Sequence, residues 1–319
     1  MSPYRIGSTG DEVRRIQEKL QLLGLYGGPL DGAFGGGAEA AVRLFQEQRG
    51  LESDGKVGPQ SWQALFGSDL PANNISGRSL DYRCLALTGA FETDAPFPDC
   101  FSGLSGDFDG QGISLGVCQW NFGQGSLQPL LKRLCSEYPE TARALFHDDL
   151  ARLTALFSAT KGEQLAFARS IQDPIRKRVN EPWGGRFKAL GRSDQFQRIQ
   201  ADAAATLFGD ARRLCGDYGL WSQRGVALMF DIKVQNGSIG TAVQERIREE
   251  FRGIATTLSP EEQETTRLRI VANRRAEAAN ARWVEEVRKR KLCIADGRGT
   301  VHGIEYDLEE QFGIGLGRF

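Results

Sequence analysis

Residues 85–130 read LALTGAFETDAPFPDCFSGLSGDFDGQGISLGVCQWNFGQGSLQPL, and the rest of the chain is organised around this stretch. Its first eight residues are mostly apolar and end at Glu92, and Pro96 and Pro98 follow too closely for a helix to continue. Glu92 is therefore expected in the last turn of a helix. There the negative end of the macrodipole and the adjacent Phe91 both disfavour a charged carboxylate, leaving a proton-bearing group suited to general acid catalysis. Downstream, small and apolar residues alternate around Gly106, Gly110 and Gly112, which predicts a hairpin whose turn holds Asp107 and Asp109. An aspartate in an open polar loop keeps its charge. One protonated and one ionised carboxyl are what cleavage of a glycosidic bond requires. Gln119, Trp120 and Asn121 close the hairpin, and this set can line a sugar cleft by stacking and hydrogen bonding.

The order of a glutamate at a helix end, an aspartate in DGQGIS seventeen residues on, and a GQGS turn into an apolar helix resembles the family 46 chitosanases and their endolysin relatives in the lysozyme superfamily. The resemblance implies a mainly α (α+β) fold, with a helical domain carrying one catalytic β-hairpin. It also implies Glu92 as general acid, Asp109 as general base and Ser114 as a hydroxyl helping to hold the attacking water. Asp107 is a second carboxylate two residues from Asp109, and strand alternation points both the same way. Only the resemblance favours Asp109. Ile113 stands where the family has an aromatic residue, and Ser114 where it has threonine. Ser126 stands where chitosanases carry an aspartate that holds a substrate ammonium, so Ser126 is expected to contact a sugar without a charge to pair.

Residues 4–68 form a separate pattern. DGAFG at 31–35 and DGKVG at 54–58 echo each other, each between amphipathic segments such as Val13, Ile16, Leu20 and Leu23. Asp-Gly makes a tight turn, so three short helices are predicted. This stretch is similar to the bacterial peptidoglycan-binding domain 1 family over its whole length. That resemblance implies a bacterial peptidoglycan partner, with Tyr26, Asp31 and Phe34 as candidate wall contacts. The domains expected are a peptidoglycan-binding domain at 1–68, a linker at 69–79 and a glycoside hydrolase domain at 80–319.

A chain of 319 residues with 40% hydrophobic content has room for two such domains. Its net charge of −1 gives no field for nucleic acid. Two histidines, neither in a paired spacing, and six scattered cysteines without CxxC argue against zinc or redox chemistry. The opening at Asp107 resembles a calcium loop, but Cys118 holds its twelfth position. No metal or cofactor is expected. Residues 1–10 lack an apolar leader and no run is long enough to cross a membrane, so synthesis is expected to end in the cytoplasm. A monomeric, endolysin-like muramidase follows as the expectation, reaching the wall through a membrane lesion or a secretion machine. A chitosanase, a lytic transglycosylase and a non-catalytic wall-binding protein are the alternatives. Helices are expected at 127–138, 142–156, 163–171, 186–190, 193–215 and 225–240. The basic residues of 265–292 are read as a solvated helix face.

Overall fold

The computed structural model describes residues 4, 5, 8, 11–32, 34–68 and 75–319, without the side chain of Asp11. The chain divides into two compact units, residues 1–74 with 96–99, and residues 75–95 with 100–319.

The first unit holds α1 (Asp11–Leu22), α2 (Gly36–Gln48) and α3 (Pro59–Phe66). Their apolar faces meet in a core of Val13, Ile16, Leu20, Phe34, Val42, Phe45, Trp62 and Leu65. The two Asp-Gly turns are each pinned by a buried glutamine. From α1, Gln17 donates Nε2 to Asp31 Oδ1 at 2.8 Å, and its Oε1 accepts from Gly32 N at 2.8 Å. From α2, Gln46 donates to Asp54 Oδ1 and Lys56 O, both at 2.9 Å, and accepts from Gly55 N at 2.9 Å. An amide both donates and accepts, so one side chain satisfies both poles of a turn.

The second unit begins with α4 (Leu80–Thr93), whose N-cap Ser79 accepts from Tyr82 N. A three-stranded antiparallel sheet follows, with β1 (Leu104–Ser105), β2 (Ser114–Leu115) and β3 (Trp120–Asn121) in sequence order. Ser114 pairs with Ser105 and Asn121, and Leu115 with Leu104 and Trp120. Helices then run α5 (Leu127–Glu137), α6 (Pro139–Phe146), α7 (Leu150–Ala155), α8 (Lys161–Ser170), α9 (Trp183–Arg192), α10 (Asp194–Ala203), α11 (Ala205–Asp217) and α12 (Gln223–Asn236). The unit closes with α13 (Thr241–Arg252), α14 (Pro260–Glu277), α15 (Val284–Asp296), the hairpin β4 (Arg298–Val301) and β5 (Ile304–Asp307), and α16 (Leu308–Phe312). The architecture is mostly helical with a small sheet, as expected. No described helix is long and apolar enough to cross a membrane.

The structure corrects the expected boundaries in several places. Residues 69–74 of the expected linker lie outside the described residues, but 75–79 are built into the second unit. Ile75 is buried and Arg78 pairs with Asp194 at 2.6 Å. The helix expected at 142–156 is interrupted by a 3-10 turn at His147–Asp149, and that at 193–215 breaks at Ala204. The β4–β5 hairpin is an element that the sequence reading does not anticipate. Its signal is the alternation of Val301, Ile304 and Tyr306 around a His-Gly turn, just past the helix stop at Asp296–Gly297.

Replacing Gln46 with leucine leaves Gly55 N–H without its acceptor and removes a donor to Asp54. The Gln46→Leu change is expected to destabilise the first unit by about 1–3 kcal/mol. Amide hydrogen exchange over residues 41–65 measures this directly, and unchanged exchange there would contradict the pinning role.

Candidate active site

Glu92 does sit in the last turn of α4, but its neighbour is not an apolar wall. Arg290 of α15 places Nη2 2.7 Å from Glu92 Oε1, while Phe91 turns inward and lies 5.3 Å beneath the same guanidinium. Arg290 is 2% exposed and Asp231 of α12 is fully buried. Arg290 Nε lies 3.1 Å from both Asp231 oxygens, and Nη2 is 2.7 Å from Oδ1. Lys291 Nζ donates to Asp231 Oδ2 and, at 2.7 Å, to Gln235 Oε1. Thr88 of α4 donates its hydroxyl to Asp231 Oδ1 at 3.1 Å. Two cations are thus balanced by one buried carboxylate and by the exposed Glu92, and a planar guanidinium reaches both acids in a way an ammonium cannot. The expectation of a solvated basic face over 265–292 fails at these two cations. Adjacent on α15, both instead point toward α12.

Burial opposes the charge on Asp231, but Arg290 and Lys291 hold its carboxyl down at about 2. Burial pushes the Lys291 ammonium down to about 8, against the pull of Asp231. The folded value for Asp231 lies below its ordinary 3.8, so its contribution is complete above that pH and lost as pH falls through about 2. Lys291 acts oppositely: its penalty is present below pH 8 and is relieved as pH rises toward 10.5.

The β2–β3 turn approaches Glu92 through Cys118, and the C-terminal hairpin meets the end of α4 at Asp94. Burial, then the Glu92 charge, push the Cys118 thiol up to about 12. Gln200 of α10 fixes this turn, accepting from Val117 N at 3.0 Å and donating to Phe101 O at 3.1 Å. At the tip of the β4–β5 hairpin, His302 Nδ1 lies 2.6 Å from Asp94 Oδ1, and Nε2 lies 3.4 Å from Glu286 Oε1. His302 therefore links the end of α4 to α15 one turn from Arg290. Nothing in the sequence spacing points to His302, Arg290 or Asp231.

The β1–β2 loop separates its two aspartates. Asp107 is buried, with Oδ1 accepting from Gly112 N at 2.9 Å and Oδ2 facing Arg169 Nε at 3.0 Å. Its own N–H donates to Gln172 at 2.9 Å. Burial works against its charge, but the Gly112 N–H and Arg169 hold the carboxyl below its usual range. Gly112 has φ +81°, and a Cβ there would stand 3.1 Å from Ala168. Asp109 is exposed, with Oδ1 accepting from Gln111 N at 3.0 Å. Asp107 thus shapes the loop while Asp109 faces solvent.

The remaining candidates divide in the same way. Ser114 is buried at the centre of the sheet. Gln119 holds its turn through Gly116 O at 2.8 Å and accepts from Ser105 at 2.8 Å. Asn121 is buried, accepting from Gln124 N at 2.8 Å, and its own N–H donates to Ser126 Oγ at 2.9 Å. Asn121 and Ser126 are thereby committed to the GQGS turn. Trp120 is half-buried against the core. In the first unit, Tyr26 and Asp31 line a surface groove of about 410 Å³ with Leu25, Pro29 and Leu44. Phe34 is 2% exposed and belongs to the core beneath, so it is not a surface contact.

Residues 9–65 match the family described as "Putative peptidoglycan binding domain", so the chain carries that domain at its N-terminal end. Over 61 residues it is 50% identical to the spore cortex-lytic enzyme of Bacillus subtilis (strain 168), covering 19% of this chain and 20% of that protein. Over 70 residues it is 40% identical to the N-acetylmuramoyl-L-alanine amidase CwlM of Mycobacterium tuberculosis, covering 22% and 16% respectively. The chain therefore spans about a fifth of the length of these relatives. Among solved structures, native chitosanase from Bacillus subtilis MY002 aligns at 18% identity over 69% of this chain and 87% of that one, with a TM-score of 0.40. A Gynuella sunshinyii GH46 chitosanase in complex with chitotetraose aligns at 16% identity over 71% and 96%, with a TM-score of 0.41.

Removing the charge on Asp231 leaves Lys291 in the interior without its anion and Arg290 with Glu92 alone. Asp231→Asn is expected to cost about 3–5 kcal/mol, with part recovered when Lys291→Met is added. Calorimetric melting of the three proteins tests this, and a loss under about 1 kcal/mol for the single variant would contradict it.

Proposed function

We propose that the protein is a cell-wall glycoside hydrolase, with peptidoglycan held by the first unit and its glycan strand cut by the second in the manner of a muramidase. The observation that carries this reading is the Glu92 carboxyl, presented at a helix end and gripped by a buried arginine, on the same chain as a peptidoglycan-binding domain. Tethering to an insoluble polymer raises the local concentration of the cleaving unit. Arg290 fixes the orientation of Glu92 in the resting protein. As the glycosidic oxygen departs, Glu92 delivers its proton, so the reactive form carries that proton while Arg290 remains paired with Asp231. Asp109, exposed in a loop that Asp107 and Gly112 hold in shape, serves as base for the attacking water. Asp107 is a positioning residue. Ser126, neutral and engaged with Asn121, offers no charge for a glucosamine ammonium, which favours N-acetylated glycan over chitosan.

Glu92→Gln should reduce turnover of purified peptidoglycan by at least about 10²-fold, since glutamine has no proton to donate. Asp109→Asn should show a comparable loss at unchanged melting temperature. Asp107→Asn should lower the melting temperature and loosen residues 106–113, with a smaller loss of activity. Mass spectrometry of released muropeptides reads the outcome. Cleavage of peptide bonds with the glycan intact, or full activity of Glu92→Gln, would overturn the proposal.

A further inference from the structure

Beside the β1 edge, on the strand and loop that lead into Asp109, lies a pocket of about 260 Å³. Ser105 and Phe108 form one wall, and Arg176, Lys177, Arg178 and Lys188 supply four cations to the rim. None of these four is in an ion pair among the described residues, although Lys177 helps keep Asp107 and Asp173 charged. The one carboxylate in the lining, Glu181, accepts from Gly185 N at 2.9 Å. The pocket is held by close packing rather than by chance proximity of loops. Gly106 lies so near Lys177 that a Cβ would stand 1.7 Å from the lysine carbonyl oxygen, and Gln172 next door receives the Asp107 N–H. Phe108 is 73% exposed and Ile175 88%, so an apolar surface borders the cations.

Four cations against one lining carboxylate, on a chain of net charge −1, form a local positive field that attracts anions and repels a polycation such as chitosan. The exposed phenyl ring offers a face for the C–H surface of a sugar. We propose that this pocket is a subsite for a carboxylate carried by the glycan strand, such as the lactyl carboxylate of a muramic acid residue. The proposal rests on the reading of the adjacent loop as part of the substrate cleft. It extends that reading by making the strand's negative charge a determinant of specificity. The concavity and its continuity with the Asp109 loop favour a glycan over a lipid surface.

Binding is to be measured by calorimetry on the full chain at low salt, comparing a tetrasaccharide of alternating N-acetylglucosamine and N-acetylmuramic acid with neutral chitin tetrasaccharide. The same titrations are repeated with the variant carrying Arg176→Gln, Lys177→Gln, Arg178→Gln and Lys188→Gln. The carboxylated sugar should bind about tenfold more tightly than the neutral one, and the variant should lose that preference while its affinity for the neutral sugar is retained. Equal affinities in the wild type, or a preference that survives in the variant, would overturn the subsite. So would tighter binding of inorganic phosphate than of the carboxylated sugar, or co-sedimentation with phosphatidylglycerol vesicles without discrimination between the sugars. If the preference and its loss are seen but no muropeptide is released by the wild type, the hydrolase reading fails and the anion subsite stands. If muropeptides are released without the preference, the subsite fails and the hydrolase reading stands.

Discussion

The guanidinium of Arg290 is the interaction on which the second unit depends. It is buried, and burying a charge without partners would be prohibitive. Its partners come from two other helices, Asp231 on α12 and Glu92 on α4, and Asp231 also pairs with Lys291 beside it on α15. Packing of α4, α12 and α15 is thereby tied to the orientation of one carboxylate at the surface. Such a network gives no large gain over a well-packed apolar core. What it supplies is a fixed direction for Glu92, since the guanidinium fork donates to two acids only at defined angles.

A second device recurs in both units. Buried glutamines pin the turns: Gln17 and Gln46 at the Asp-Gly turns of the first unit, Gln172 at the Asp107 loop and Gln200 at the β2–β3 turn. Each accepts a backbone N–H that would otherwise be unpaired in the interior, a cost the chain avoids at each of these loops. The loops are thus held by side chains from neighbouring helices and, at the Asp107 loop, from the bridge segment just past α8, which is how strands of two residues can support a site.

The overall architecture is legible in the sequence because it rests on local signals. Val13, Ile16 and Leu20 announce α1 by spacing, and Pro96 and Pro98 mark the end of α4. The placement of Glu92 at a helix end and of Asp109 in an open turn follows from the same kind of signal. The surroundings of Glu92 are not legible. Arg290 lies almost two hundred residues from Glu92 in sequence, within a run whose arginines and lysines look alike, and only tertiary packing selects the two that turn inward. Phe91 next to Glu92 suggests an apolar wall, whereas the helix rotation directs the two side chains differently. Glutamine likewise reads as a surface residue, so its pinning role has no local signal. Phe34 misleads in the opposite sense: an aromatic beside a loop resembles a ligand contact, but the three-helix unit needs it as core.

Arg290→Lys tests most directly whether the buried arginine serves the site by orienting Glu92. Lysine keeps the positive charge beside Asp231 but lacks the fork that reaches both acids. With the fold checked by melting, kcat on soluble peptidoglycan strands is predicted to fall by about tenfold or more while KM changes little. An unchanged kcat in a folded Arg290→Lys protein would contradict the account.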